Sequence, residues 1–78
     1  MTHHAIPADP RAELWLDSIF TAKAALNGGV VRRAVNWVEA EIGRERLVRE
    51  VQARHFHMLE CGGQFVIVCN PGRIRMIC

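Results

Sequence analysis

Two tight turns in the last third of the chain restrict its fold more than any other feature of the sequence. Gly62 and Gly63 lie between two runs rich in apolar and β-branched residues, which is typical of a two-residue hairpin loop whose glycines supply positive φ angles. The sequence NPGR at positions 70–73 indicates a second turn, of type II, because its proline presets φ and its glycine accepts the left-handed position. The segment 56–78 is therefore predicted to form a three-stranded antiparallel β-meander.

The two-residue loops also fix which residues face each other in this predicted meander. Leu59 lies opposite Val66 across the first hairpin, and Ile67 lies opposite Met76 across the second. Since side chains alternate along a strand, the segment divides into two faces. The predicted core face is apolar apart from Glu60, and it carries Phe56, Met58, Glu60, Phe65, Ile67, Cys69, Ile74, Met76 and Cys78. The predicted open face mixes apolar, basic and polar residues, and it carries His55, His57, Leu59, Cys61, Gln64, Val66, Val68, Arg73, Arg75 and Ile77.

The predicted open face is the candidate functional surface of this chain. Its middle row, Leu59, Val66 and Ile77, is apolar, and Val68 lies in the next row. An apolar sheet face that no helix covers usually meets another protein surface, and a second copy of the chain is the simplest one. The sequence therefore predicts an interface of Leu59, Val66, Val68 and Ile77 that mediates homo-oligomerisation or the binding of a protein partner.

Three helices are predicted ahead of the meander. Asp9 and Pro10 are typical of a helix start, and apolar spacing continues this first helix to about position 26. Apolar stripes predict a second and a third helix at about 30–42 and 44–54. Three helices followed by a β-meander make a small α+β domain, with the helices packed on the predicted core face.

Length and composition predict one soluble domain. The chain has 78 residues, of which 50% are hydrophobic, and this length suits a single domain at residues 9–78 behind a disordered lead-in at residues 1–8. Its longest apolar run is far too short to cross a membrane, and the N-terminus lacks the charged-then-apolar pattern of a signal peptide. These features predict a cytoplasmic protein whose high apolar fraction leaves some surface for a partner to cover.

The three cysteines are predicted to be reduced and structural. Cys61 lies on the opposite face from Cys69 and Cys78, and the latter two are offset along the sheet by roughly 13 Å, which is beyond the reach of a disulfide. His55 and His57 share the predicted open face with Cys61, yet no carboxylate or further cysteine joins them to complete a zinc site. The sequence thus predicts no metal, no cofactor and no catalytic residue.

Basic residues on the predicted open face support a second hypothesis. His55, His57, Arg73 and Arg75 form a candidate site for nucleic acid or another anion, and arginine suits planar hydrogen bonding to phosphate. The formal net charge is only +2, so the basic bias is mild. The alternative to a protein-interaction module is therefore an RNA-binding domain that uses these four residues.

A helix-turn-helix is a further reading of the second and third predicted helices. Such a motif, centred on Gly43, would present the third helix to DNA. The apolar anchor expected six residues after the turn glycine is replaced by Arg49, so the sequence disfavours this motif.

The layout of the last thirty or so residues, LVREVQARHFHMLECGGQFVIVCNPGRIRMIC, resembles that of HicA-type toxins. These are small ribonucleases related in fold to double-stranded-RNA-binding domains, so the resemblance implies RNA binding. The family's catalytic histidine follows the hairpin glycine, and the corresponding residue here is Gln64. The resemblance therefore implies RNA binding, while nuclease activity would lack its histidine.

Over nearly its whole length the chain is similar to a group of short uncharacterised bacterial proteins. The shared patterns are IFTAKAALNGGVVRR, WVEAEIGR and GGQFVIVCNPGRIRMIC, and some of these proteins carry the label phosphoribosylanthranilate isomerase. That isomerase is a TIM barrel, a fold that needs roughly 200 residues or more. A chain of 78 residues cannot form such a barrel, and the sequence offers no general acid and base.

Overall fold

A computed structural model of the chain describes residues 10–78 and confirms the α+β class. Residues 1–9, which include the predicted lead-in and the predicted helix cap Asp9, lie outside the described residues. The described helices and strands are, in chain order, α1 (Pro10–Phe20), α2 (Lys23–Leu26), β1 (Val30–Ala34), α3 (Val35–Glu41), α4 (Arg44–Ala53), β2 (His57–Cys61) and β3 (Gln64–Val68).

The three strands form one antiparallel sheet in the order β1-β3-β2. The hairpin between β2 and β3 has the predicted register, with His57 opposite Val68 and Leu59 opposite Val66. Gly62 and Gly63 turn the chain at φ angles of 58° and 76°, which only glycine adopts without steric cost. Both local predictions for this hairpin are therefore confirmed.

The third strand of the sheet is not the predicted one. Strand β1, within the segment 30–42 that was predicted to be helical, pairs with the edge of β3 that the meander assigned to residues 73–78. Val30 and Val31 are β-branched and follow a glycine turn, so a strand suits them better than a helix does. The backbone pairing continues past the strand, because the Cys69 N–H donates to the Gly29 carbonyl at 2.8 Å.

The predicted type II turn at 70–73 does not form either. The Oδ1 atom of Asn70 accepts the N–H of Gly72 at 2.9 Å, and the Asn70 Nδ2 donates to the Gly28 carbonyl at 2.9 Å. Asn70 thereby holds the C-terminal end of β3 against the loop before β1. Gly72 keeps a negative φ instead of the positive φ that a type II turn requires. Residues 71–78, called the tail below, consequently lie outside the sheet and have no regular secondary structure.

The helices pack on the inner face of the sheet, as predicted. This inner face carries Val31, Arg33, Met58, Glu60, Phe65 and Ile67. Phe65 and Ile67 are almost completely buried, together with Ile19, Val38 and Leu47 of the helices. Cys69 is buried at the margin of the same core, which confirms three predicted core residues.

Three other predicted core positions are wrong because the tail is not a strand of this sheet. Ile74 is 43% exposed and Met76 is 80% exposed, and Cys78 is exposed as well. The apolar residues of the tail therefore face solvent in the isolated chain.

Candidate interaction surface

The sheet surface opposite the helices, here called the outer face, carries three rows of side chains. One row runs across the strands as Arg32, Val66 and Leu59. The neighbouring rows are Val30, Val68 and His57 on one side and Ala34, Gln64 and Cys61 on the other. The outer face thus combines a compact group of four aliphatic residues with one arginine at its β1 edge.

The aliphatic group on the outer face is accessible to solvent. Leu59 is 40% exposed and Val30 is 44% exposed, while Val66 and Val68 on the central strand are half-buried between them. Leu59, Val66 and Val68 were predicted from the sequence, whereas Val30 was not, because the residues of β1 were predicted to be helical. The signal that could have revealed β1 was the β-branched pair directly after two glycines.

The structure separates Ile77, Arg73 and Arg75 from this face. Arg32 stands beside Val66 where the predicted meander had Ile77, and Val30 stands beside Val68 where it had Arg75. Ile77 lies in the tail and is 81% exposed. The remaining predicted interface residues, all on β2 and β3, do lie together.

The tail leaves the sheet next to the first residue of β2. The Nε2 atom of His57 lies 2.6 Å from the carbonyl oxygen of Gly72, which can only accept a hydrogen bond. His57 therefore donates from Nε2. This contact brings one predicted anion-binding residue, His57, beside the start of the segment that contains two others, Arg73 and Arg75.

His55, the fourth predicted anion-binding residue, ends helix α4 instead of standing on a strand. Its φ is 59°, and its N–H donates to the Gln52 carbonyl at 3.0 Å while the Phe56 N–H donates to the Val51 carbonyl at 3.0 Å. This pair of bonds is a Schellman motif with histidine at the position that usually holds glycine. The backbone conformation of His55 thus serves helix termination.

A groove of about 370 Å³ lies between helix α4 and strand β2. Six of its ten lining residues are apolar, and the polar ones are Arg44, Gln52, His57 and Glu60. The apolar and aromatic residues that line it include Val48, Val51, Phe56, Met58 and Phe65. The groove was not predicted from the sequence because its shape depends on how α4 packs against the sheet, although α4 and β2 are consecutive in the chain.

The same groove borders an unpaired strand edge. Cys61 and Gln64 flank the two-residue loop, and in such a hairpin this pair is joined by two backbone hydrogen bonds. Along an antiparallel pair of strands, hydrogen-bonded residue pairs alternate with pairs that are not hydrogen-bonded to each other. Met58 and Glu60 therefore turn their N–H and C=O groups away from β3. In the described part of the chain no further strand lies on that side, since β2 is an edge of the sheet.

Ion pairs neutralise most of the charge on helix α4. Arg44 bonds Glu39 at 3.0 Å and Glu60 at 3.1 Å, which raises its pKa above the ordinary arginine value, mainly through the hydrogen bond to Glu39. Arg54 bonds Glu50 at 2.7 Å, and this hydrogen bond lowers the pKa of the Glu50 carboxyl. Helix α4 consequently presents a mixed surface instead of a basic one.

No group of three or more potential metal ligands lies together between residues 10 and 78. Cys69 is buried, and burial raises the pKa of its thiol, which opposes formation of the reactive thiolate. All three cysteines are free.

Comparison with known proteins adds no family to these observations. The chain matches no protein-family model, and neither the curated proteins nor the solved structures contain a significant match. Within residues 10–78, every helix is too short or too polar to span a bilayer.

Proposed function

We propose that this chain is a small non-enzymatic interaction module that associates with a second copy of itself through the outer face. The observation that carries the proposal is the aliphatic group of Val30, Leu59, Val66 and Val68, which lies on a sheet face without a covering helix. Two such faces pack with their sheets about 10 Å apart, and residues of one fill the gaps of the other. Leu59, Val66 and Val68 form the centre of the interface, and Arg32 forms part of its rim.

The energy available to this interface is modest. Full burial of an exposed Val or Leu side chain contributes roughly 1.5–3 kcal/mol, and these side chains are already partly covered. A symmetric pair of outer faces buries the aliphatic group twice, which gives a total on the order of 8 kcal/mol if each side chain gains about 1 kcal/mol. Association costs about 4–15 kcal/mol, so the outer face alone supports a weak dimer.

Light scattering on the variant Val66→Glu tests the proposal. A carboxylate in the middle of the outer face would have to be desolvated in the dimer, so this variant is expected to be monomeric at concentrations where the wild type is dimeric. The matched control is Leu26→Glu, which adds the same charge at a side chain that is 71% exposed on α2. A wild type that stays monomeric at millimolar concentration contradicts self-association, and a Val66→Glu dimer contradicts the assignment to the outer face.

Nucleic-acid binding is the second candidate function, and the topology favours it. Helices α3 and α4 are joined through Gly43, and the β2–β3 hairpin follows them. Two helices joined by a short turn that contains glycine are also the layout of a helix-turn-helix motif, whose second helix, here α4, lies in the major groove of DNA. Arg49 and Gln52 are exposed on α4, in positions from which they can contact a nucleic acid.

The charges of the same region weigh against this second candidate. Arg44, Arg46 and Arg54 are all engaged by carboxylates, and the hairpin loop itself consists of two glycines. Binding through the residues singled out in the sequence, namely His55, His57, Arg73 and Arg75, would place the ligand beside the tail instead. Both versions of the candidate share the weakness of a low net charge, which is only +2 for the whole chain.

Salt dependence separates the two candidate functions. Fluorescence anisotropy with labelled duplex DNA and single-stranded RNA should show no binding at physiological salt if the chain is a protein-interaction module. A complex whose affinity falls steeply with salt would instead support the nucleic-acid candidate. Loss of about one unit of salt slope in Arg49→Ala would assign the contact to α4, and the same loss in Arg75→Ala would assign it to the tail.

A further inference from the structure

We infer that the tail of one copy adds as a strand to the β2 edge of a second copy and fills the groove between α4 and β2. The inference rests on the proposed self-association and names the segment that strengthens it. It brings together two features that the isolated chain leaves unused, an apolar tail without secondary structure and a strand edge bordered by an apolar groove.

The edge of β2 offers the backbone groups that an added strand requires. The N–H and C=O groups of Met58 and Glu60 point away from β3, as the alternation of the ladder dictates. An extended segment that pairs with them gains main-chain hydrogen bonds irrespective of its sequence, and its alternate side chains decide the specificity. The strand β2 spans five residues, so residues 73–78 are long enough to pair along its whole length.

The side chains of the tail alternate in the way that a strand beside β2 requires. Ile74, Met76 and Cys78 share one side of an extended strand, while Arg73, Arg75 and Ile77 share the other. The groove beside β2 lies on the inner side of the sheet and is lined by Val48, Val51 and Met58. The apolar set therefore points into the groove, and the two arginines then lie on the outer side in line with His57 and Leu59.

The exposed apolar side chains of the tail support a second copy of the chain as its binding partner. Met76 is 80% exposed, so burying it in the groove removes more apolar surface than burial of any one aliphatic residue of the outer face, where the largest exposure is 44%. If each copy places its tail on the β2 edge of the other, both tails and both edges are paired. A single two-fold axis relates the two contacts, as in closed homodimers. In the chain itself the tail makes its contact at Gly72 and the residues after it remain exposed.

Two pairs of variants test the tail and the edge by light scattering. Met76→Glu places a carboxylate in the apolar groove and should lower the dimer affinity at least 10-fold, whereas Arg75→Glu, its neighbour on the outer side, should change it by less than about 3-fold. Glu60→Pro removes the outward N–H and should weaken the dimer similarly, while Glu60→Ala keeps that N–H and serves as its control.

Isotope-filtered NMR on a mixture of labelled and unlabelled chains decides whether the contact is between copies. The expected result is an intermolecular NOE between the methyl group of Met76 and the methyl groups of Val48. Purely intramolecular NOEs would overturn the inference in favour of a tail folded on its own chain. If Met76→Glu dimerises like the wild type while Val66→Glu is monomeric, the tail exchange is wrong and the outer-face interface stands; if both variants stay dimeric, both are wrong.

Discussion

The imidazole of His57 donates a hydrogen bond from Nε2 to the carbonyl oxygen of Gly72, with the two atoms 2.6 Å apart. A carbonyl cannot donate, so Nε2 carries a proton whether the ring is neutral or cationic. The bond joins the first residue of β2 to the beginning of the tail. Together with the Asn70 side chain, which accepts the Gly72 N–H at 2.9 Å, it holds the point at which the tail leaves the domain, while residues 73–78 have no backbone partner in the sheet.

Replacing His57 by leucine should release the beginning of the tail. The bond is solvent-exposed, so its loss is expected to cost no more than about 0.5–1 kcal/mol of unfolding free energy. The backbone amide of Gly72 should nevertheless become more mobile, which ¹⁵N relaxation measures as a lower order parameter. His57→Gln keeps a side-chain donor and is the control. An unchanged Gly72 order parameter in His57→Leu would show that Asn70 alone fixes this part of the chain.

The β2–β3 hairpin could be predicted because its determinants are local. Gly62 and Gly63 impose a two-residue loop, and a loop of that length leaves one register for the flanking strands. The inner and outer faces of β2 and β3 follow from that register without knowledge of the rest of the chain. For this reason Leu59, Val66 and Val68 lie together as predicted.

The third strand could not be predicted by the same reasoning because two distant segments compete for one edge of β3. The tail is adjacent in sequence and has suitable alternation, while β1 lies more than thirty residues earlier. The structure favours β1 through contacts between residues that are far apart in the sequence. The Asn70 side chain donates to the Gly28 carbonyl, and the Val35 N–H donates to the Gly63 carbonyl at 2.9 Å. The alternation of the tail made it a candidate for that edge of β3, but alternation alone could not show that β1 takes the edge instead.

The left-handed backbone of His55 predicts a stabilising substitution. An L-residue in this conformation is disfavoured by about 1–2 kcal/mol, although histidine tolerates it better than most residues. His55→Gly should therefore raise the unfolding free energy by up to about 1 kcal/mol in urea denaturation. The control Ala53→Gly changes the last residue of α4, which has right-handed helical backbone, and should lower it by roughly 0.5–1 kcal/mol. Destabilisation by His55→Gly would indicate that the histidine side chain makes a contribution larger than the backbone strain.

Leu47 is the best single test of the helix–sheet core. Its side chain is completely buried on α4, and truncation to alanine leaves a cavity among tightly packed neighbours. Leu47→Ala is expected to lower the unfolding free energy by about 2–5 kcal/mol, which a domain of this size can barely sustain. Leu26→Ala, at a side chain that is 71% exposed, should change it by less than about 0.5 kcal/mol. Equal effects of the two substitutions would contradict the packing of α4 on the sheet.

The carboxyl of Glu50 gives the domain a specific acid sensitivity. The hydrogen bond from Arg54 lowers the folded-state pKa of Glu50 below its unfolded value, with Arg46 adding a weaker attraction. A carboxyl with a lowered pKa stabilises the fold above the unfolded pKa, and the contribution disappears as the pH falls through the folded pKa. Glu50→Gln should therefore be less stable than the wild type at pH 7 by a few tenths to about 1 kcal/mol, since the pairs are partly exposed.

The difference in unfolding free energy between the two proteins should shrink progressively below about pH 4.3, where the wild-type carboxyl takes up a proton. Urea denaturation of both proteins between pH 2 and 7 measures this convergence, with the exposed Glu45→Gln as the control, and a difference that is independent of pH would contradict the ion pair.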